Sequence, residues 1–236
     1  RAVLAQPGPR HLVVNADESE PGNFKDRFLL EHHPFLVLEG TLLAALAVGA
    51  SQVFLYLRDE FEAAILGLEQ AVHQLEEAGL LPVPTRVFTS GGLYICGEET
   101  ALLESMEGKR AEPRLKPPFP VEKGLWGRPT LVQNVETLAN LPLILREGPG
   151  AWRAKEPKLF SITGDVARPG LYELPLGTSL EDALRGAQGE PEALKAVLLG
   201  GAAGVFTRDF AFPLRYKGRL PMGAGAIVGF GKEVDL

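Results

Sequence analysis

The sequence predicts an α/β fold: a parallel sheet covered by helices, then a smaller module with a different rhythm. Three observations carry this expectation. Apolar, strand-like runs at residues 12–14, 53–57 and 86–89 alternate with helical apolar spacing, the order that a parallel sheet with crossover helices requires. Gly148-Pro149-Gly150 then punctuates the chain. Beyond it, strand, turn, strand, helix and strand follow one another over about 80 residues.

In chain order, Leu12-Val13-Val14 reads as a strand that ends at Asn15, before the acidic loop Asp17-Glu18-Ser19-Glu20-Pro21-Gly22. Pro34 opens a largely buried helix, because a first-turn proline lacks an N–H that would be unpaired there anyway; Gly49 stops it. Val53 to Leu57 reads as a buried strand. Asp59 is expected to cap the next helix, with Glu62 close to a capping box. Phe61, Ile65, Leu68, Val72 and Leu75 would form its buried face and Gly79 its end. Arg86 to Thr89 is a short strand, Ala101 to Glu107 a helix stopped at Gly108, and Pro113 to Pro120 a crossing too punctuated for regular structure. A further helix is expected from about Leu131 to Arg146.

After the break, Leu159 to Thr163 and Leu171 to Leu176 flank the turn Arg168-Pro169-Gly170 and predict a hairpin. Thr178 is expected to cap a helix, with Glu181 completing a capping box. Ala196 to Leu199 and Ala226 to Phe230 supply two more strands, which together suggest a β-grasp module. The expected domains are 1–150 and 151–236.

Composition narrows the function. The 236 residues hold one large domain or two small ones. A net charge of −6 lacks the cationic field of a non-specific nucleic-acid binder. With 45% hydrophobic and 23% charged residues, the chain is not globally disordered. One cysteine, Cys96, excludes an internal disulfide and, from this chain alone, a four-thiolate zinc or iron–sulfur site. The apolar stretch Phe35–Ala50 is broken by Glu39, Gly40 and Gly49 and falls short of the roughly 20 residues of a membrane span. No signal peptide opens the chain, so a soluble, cytoplasmic protein is expected. A first residue other than Met reads as processing, trimming or a fragment.

Four segments have the composition of a binding site. Asn15 to Gly22, followed by Lys25, Asp26 and Arg27, sets Asp17, Glu18 and Glu20 just beyond a strand, where ligands of open α/β sheets bind; its plainer reading is a solvated acidic turn. Gly91 to Thr100 joins glycines that allow close backbone approach to a helix start with free N–H groups; the plainer reading is a strand–helix connection in which Glu98 and Glu99 complement the helix dipole. Cys96 reads as a small buried apolar residue. Lys116-Pro117-Pro118-Phe119-Pro120 would either present Phe119 rigidly to a heterocycle or plug the core with it. In Thr130 to Thr137, Gln133 and Asn134 either bind a ligand or cap a helix.

Other chemistries lack their motifs. There is no P-loop, no nucleophile elbow and no H-E-x-x-H, and Gly200-Gly201-Ala202-Ala203-Gly204 has the wrong spacing for a dinucleotide fingerprint. His11, His32, His33 and His73 have no ligand-like spacing beyond the adjacent pair, which reads as a helix-entry surface.

Taken together and in this order, N-A-D-E-S-E-P-G-x-x-K-D-R, Y-I-C-G-E-E-T-A-L, K-P-P-F-P and N-V-E-T-L resemble the flavin-binding 51 kDa, or F, subunit of the NADH dehydrogenase of respiratory complex I. Related diaphorase subunits occur in NAD-reducing hydrogenases and NAD-dependent formate dehydrogenases. Asp165 to Glu173 is similar to the start of that family's second, SLBB-type domain. The resemblance implies a Rossmann-like domain holding FMN, with NADH stacked on its ring and passing hydride to it. It places Asn15, Asp17, Glu18, Ser19, Tyr94, Gly97, Glu98, Val132, Gln133, Asn134 and Thr137 around FMN. It places Glu20 and Glu99 on NADH, with Lys116 and Phe119 at its adenosine end. No residue is implied as a catalytic acid, base or metal ligand, because hydride passes between the cofactors. The implied partners are a 24 kDa-type thioredoxin-like subunit and a large iron–sulfur subunit, on the cytoplasmic face of a membrane or in a soluble complex.

Three departures from the family pattern stand beside this. A loop of the form G-R-G-G-A-G-F-P-T-G precedes the N-A-D-E-S-E-P-G segment in the family; residues 1–14 here contain only Pro7-Gly8-Pro9 in its place. A C-terminal helical domain with C-G-x-C-x-P-C binds a [4Fe–4S] cluster in the family, and its ligands do not occur in these 236 residues. Gln133 stands where asparagine is common. The expectation is therefore either a part of an NADH dehydrogenase flavoprotein, or a short paralogue serving as a nucleotide-binding or assembly module without turnover.

Overall fold

The computed structural model describes residues 2–215, 220 and 222–235. They form two compact units. The first takes the chain up to Ser19 and from Asp26 to Arg146; the second takes Glu20–Lys25 and the chain from Glu147 onward. No helix among the described residues is long and apolar enough to cross a membrane.

The first unit is built on a four-stranded parallel sheet. Its strands are β1 (Arg10–Ala16), β2 (Ala50–Arg58), β3 (Thr85–Ser90) and β4 (Thr130–Asn134), in the order β3-β2-β1-β4. Leu12, Val13 and Val14 on β1, and Val53 to Leu57 on β2, are buried. That continuous burial explains why these runs show no polar alternation: helices cover both faces of a parallel sheet. The covering helices are α1 (Lys25–His32), α2 (Pro34–Val48), α3 (Glu62–Glu77), α4 (Glu99–Met106) and α6 (Val135–Glu147), with the short α5 (Pro120–Lys123) between the last two. Val13, Phe54 and Tyr56 pack with Cys96, Leu102, Leu103, Met106 and Leu125 on the α4 side.

Several elements follow from local chemistry. Pro34 occupies the first turn of α2, and Gly49 ends it in the left-handed region (φ 62°, ψ 44°), its N–H returning to Ala45 and Leu46. The start of α3 corrects the expected cap. Asp59 donates its backbone N–H to Ser90 across the sheet (3.0 Å), which keeps it in the turn, and the helix begins at Glu62 with no side-chain cap. Its buried face is Phe61, Ala64, Leu68 and Ala71, with Ile65, Val72 and Leu75 at its margins.

The larger correction concerns residues 131–134. They form β4, paired with β1 from His11↔Thr130 to Asn15↔Asn134, rather than the first turn of a helix. Leu131-Val132 offers too few apolar positions for periodicity to separate strand from helix; the open edge of β1 decides it. The helix starts one residue later, where the Asn134 side-chain oxygen accepts the Glu136 N–H (3.0 Å).

The second unit contains α7 (Pro149–Lys155), β5 (Pro157–Gly164), β6 (Gly170–Pro175), α8 (Leu180–Gly186), β7 (Leu194–Leu199), β8 (Val205–Thr207) and β9 (Ala226–Gly231). The sheet order is β6-β5-β9-β7-β8; β5 and β6 form the expected hairpin, and β9 returns parallel to β5. This is the β-grasp arrangement, with Leu180, Ala183 and Leu184 of α8 buried against Phe160, Ile162, Val197, Leu199 and Ile227. The cap of α8 is Ser179, which accepts the Asp182 N–H (3.0 Å); the expected Thr178–Glu181 pair is one residue early. The three-residue β8 and the proline-started α7 are too short to give a periodic signal in the sequence. The segment 20–25 docks on β5, where the Ser161 hydroxyl accepts the Phe24 N–H (3.1 Å) and donates to Asn23 (3.0 Å).

Gly40 marks the closest packing in the first unit. A Cβ there would overlap the Leu138 carbonyl of α6 and come within 3.3 Å of Pro142 Cδ. Gly40→Ala is expected to destabilise the protein by about 1–3 kcal/mol, because overpacking against backbone outweighs the gain in helix propensity. Urea unfolding measures this; an unchanged or raised midpoint would contradict the tight crossing.

Candidate functional site

The chain runs from β1 to β2 and β3 on one side, then crosses back to place β4 on the other side of β1. In open α/β sheets, such a reversal opens a crevice beyond the carboxyl ends of the two strands. Asn15 and Asn134 are register partners at those ends. The Asn15 amide donates to the Gly97 carbonyl (2.9 Å), and its oxygen accepts the Asp17 N–H (3.2 Å). Gly97 closes the short helical turn Tyr94–Gly97, so this pair of bonds ties the end of β1 to the entry of α4.

The acidic segment divides its work. Glu18 accepts the N–H groups of Asp26 (3.0 Å) and Arg27 (2.9 Å), and so satisfies the start of α1. Asp26 in turn accepts a hydrogen bond from the Asn134 amide (2.7 Å). Asp17 is only 7% exposed. Its Oδ1 accepts from the Ser19 hydroxyl (2.8 Å), while Oδ2 is buried with no hydrogen-bond partner. Burial pushes the Asp17 pKa up, opposed by the Ser19 bond and the positive Arg58. A buried acceptor without a donor is costly and calls for one. Glu20 lies in the second unit, where it accepts the Ala202 N–H.

At the entry of α4, Glu98 caps the helix. Its Oε2 accepts from the N–H groups of Thr100 (2.8 Å) and Ala101 (2.9 Å) and from the Thr100 hydroxyl (2.5 Å). Burial raises its pKa, but these bonds and Lys116 outweigh burial, and the net shift is downward. Lys116 bridges Glu98 (3.0 Å) and Glu99 (2.8 Å). Cys96 is buried, as a small apolar residue would be. Tyr94 is 53% exposed and Phe119 49% exposed, so Phe119 is presented to solvent and does not plug the core. Val132 packs against the core, Gln133 is half-buried and Thr137 exposed.

The structure thus brings Asn15, Asp17, Glu18, Ser19, Gly97, Glu98 and Asn134 together in one unit. Sequence reasoning missed Arg58. Its Nε is buried without a partner, its guanidinium pairs with Glu60 (3.0 Å), and a Cβ on Gly92 would come within 3.1 Å of it. The available signal was a cation ending an otherwise apolar strand, Leu57-Arg58-Asp59. Tyr56 reads from the sequence only as core. Burial pushes its hydroxyl pKa up to about 12, and it is bonded to Ser90 (2.5 Å) and Ser105 (2.9 Å).

Glu98 carries a pH dependence. Its folded pKa lies below the ordinary glutamate value, so its contribution is present above that value and is lost as pH falls through the depressed pKa. Glu98→Ala is expected to cost about 1 kcal/mol near neutrality through loss of the cap. The gap from wild type should shrink in acid. Unfolding curves across pH test this; a gap constant into the acid range would contradict it.

Comparison with known proteins agrees with this fold. Residues 2–143 match the Nuo51 FMN-binding domain, and residues 159–200 match the SLBB domain. The F subunit of the NADH-quinone oxidoreductase of Aquifex aeolicus (strain VF5) is 40% identical, over 99% of this chain and 59% of its own length. The corresponding F subunit from Escherichia coli (strain K12) is 44% identical, over 85% of this chain and 49% of its own. A crystal structure of an air-oxidised NAD+-reducing [NiFe]-hydrogenase superposes on the whole chain with a TM-score of 0.93 at 40% identity, covering 42% of the matched chain. The chain spans about half the length of the curated relatives it matches. It belongs to the family of the Nuo51 FMN-binding domain, here joined to an SLBB domain.

Proposed function

We propose that this chain is the flavin- and NADH-binding part of an NADH dehydrogenase of the complex I or NAD-reducing hydrogenase type. The observation that carries the reading is Asp17. It is a buried carboxylate oxygen without a donor, at the carboxyl end of β1 and beside the crossover to β4. A polyhydroxylated chain such as the ribityl group of FMN supplies such donors. Asn15, Ser19, Gly97 and Asn134 surround the same strand ends, so the residues fit that group.

FMN, when bound, supplies the hydride acceptor. The protein's work is then to bind, orient and exclude water. Asn15 fixes the Gly97 turn, and Glu18 and Glu98 hold the helix starts that flank it. Tyr94, Val132, Gln133 and Thr137 complete the proposed flavin surroundings. Glu99, with Lys116, is the proposed contact for NADH hydroxyls, and Phe119 is the proposed platform for adenine. Hydride transfer needs no general base, in keeping with the lack of histidine in these four segments. The proposed partners are iron–sulfur subunits that accept the electrons, with the chain on the cytoplasmic side.

Purified protein titrated with FMN should bind it, and NADH should bleach the flavin absorbance in stopped flow. Asp17→Ala is expected to weaken FMN binding at least about tenfold, the worth of a hydrogen bond to a charged group. Phe119→Ala is expected to raise the half-saturating NADH concentration about tenfold with little change in limiting rate, through loss of one stacking contact. Protein that takes up no FMN would remove the redox reading and leave a nucleotide-binding or assembly module.

A further inference from the structure

In the segment that carries Lys116 and Phe119, Pro120 alone is buried. Leu115 is 93% exposed, and Phe119 is half out in solvent. Polar contacts hold it: Lys116 pairs with Glu98 and Glu99, and the contacts at the two ends of the segment meet at Arg114. The Arg114 N–H donates to the Thr100 hydroxyl (2.8 Å), the same hydroxyl that donates to Glu98. Its guanidinium reaches Glu104 through Nε (2.5 Å) and Glu107 (2.8 Å), one and two turns along α4. Its third contact goes to the Gly124 carbonyl (3.1 Å), at the far end of the segment. Glu107 also accepts the Trp126 N–H (2.8 Å), just beyond that end. Inside the loop, Glu122 accepts the Phe119 N–H (3.0 Å).

One guanidinium therefore closes residues 115–123 into a strap, with both ends fixed to the helix whose first turn carries Glu98 and Glu99. A planar fork can meet two carboxylates and a carbonyl at once; an ammonium cannot hold all three in fixed directions. Ordering a loop before binding removes that entropic cost from the binding step.

We propose that Arg114 is a positioning residue that pre-orders Lys116 and Phe119 for the adenosine half of NADH. This rests on the reading of Phe119 as the adenine platform. The Arg114 guanidinium is taken up by Glu104, Glu107 and the Gly124 carbonyl. It acts by fixing the strap, so its loss should act on the adenosine half alone.

The test compares two ligands that divide NADH. ADP-ribose carries the adenosine half and is titrated calorimetrically, with no turnover. Reduced nicotinamide mononucleotide lacks that half and is followed by flavin bleaching. Arg114→Gln should weaken ADP-ribose binding about tenfold, the scale of one well-placed stacking contact, while leaving FMN affinity and mononucleotide bleaching unchanged. Arg114→Lys should fall between it and wild type. Glu107→Gln keeps the arginine, removes one partner and should give a smaller loss in the same direction, so the proposal stays testable if Arg114→Gln fails to fold. ADP-ribose binding equal to wild type in folded Arg114→Gln would overturn the proposal. So would an equal loss of FMN affinity or of mononucleotide bleaching, or wild-type protein that binds no ADP-ribose. Wild type that binds ADP-ribose but takes up no FMN would instead remove the redox reading and leave the strap in place.

Discussion

The first unit depends on a single strand having two parallel neighbours of opposite chain history. β1 is paired early with β2 and late with β4, and Asn15 and Asn134 stand side by side at the carboxyl ends where this reversal occurs. β1 is held along both edges and Leu12, Val13 and Val14 are fully buried, so a shift of register would have to break two ladders and repack those side chains. That rigidity lets short side-chain bonds, such as Asn15 to Gly97, set the position of the α4 entry. A register slip of one residue in β1 would part Asn15 from its register partner Asn134 and from the Gly97 carbonyl.

The site residues do two kinds of work, and the structure separates them. Glu18, Glu98 and Asn134 satisfy helix N-termini or the groups beside them. These bonds replace water at backbone donors that would otherwise be buried unpaired. Asp17 has no such structural employment for its second oxygen. The plain reading and the functional reading of an acidic loop are therefore not rivals here. Neighbouring carboxylates divide the work: Glu18 satisfies a helix start, and Asp17 keeps one buried oxygen without a donor.

How much of this was legible in the sequence varies with the physics behind each signal. The continuous apolar strands and the long α2 were readable because burial on all sides leaves one composition. The β-grasp order was readable from its turn chemistry at Arg168-Pro169-Gly170. Asp59 and Thr178 misled because cap residues are common in turns; which of them caps is fixed by neighbouring hydrogen bonds, such as Asp59 to Ser90. Residues 131–134 misled because a short strand takes its identity from its partner. Arg58 and Arg114 were missed because a cation says nothing in sequence about how many acceptors it will meet.

The run Gly200 to Gly204 shows the same limit from the other side. Its spacing is wrong for a phosphate-binding fingerprint, and that exclusion stands. Within the second unit it still turns a backbone N–H toward an anion, as glycine-rich turns do for phosphates. The anion is the protein's own Glu20, bonded at Ala202. Gly201 sits at φ +83°, and a Cβ there would overlap the Glu20 carboxylate. A Cβ on Gly223 would overlap the Gly200 carbonyl, so the two glycines pack backbone to backbone. A motif rejected for one ligand thus fixes where a carboxylate of the acidic segment rests. Any partner that binds through Glu20 must share that carboxylate with the Ala202 amide or take it away.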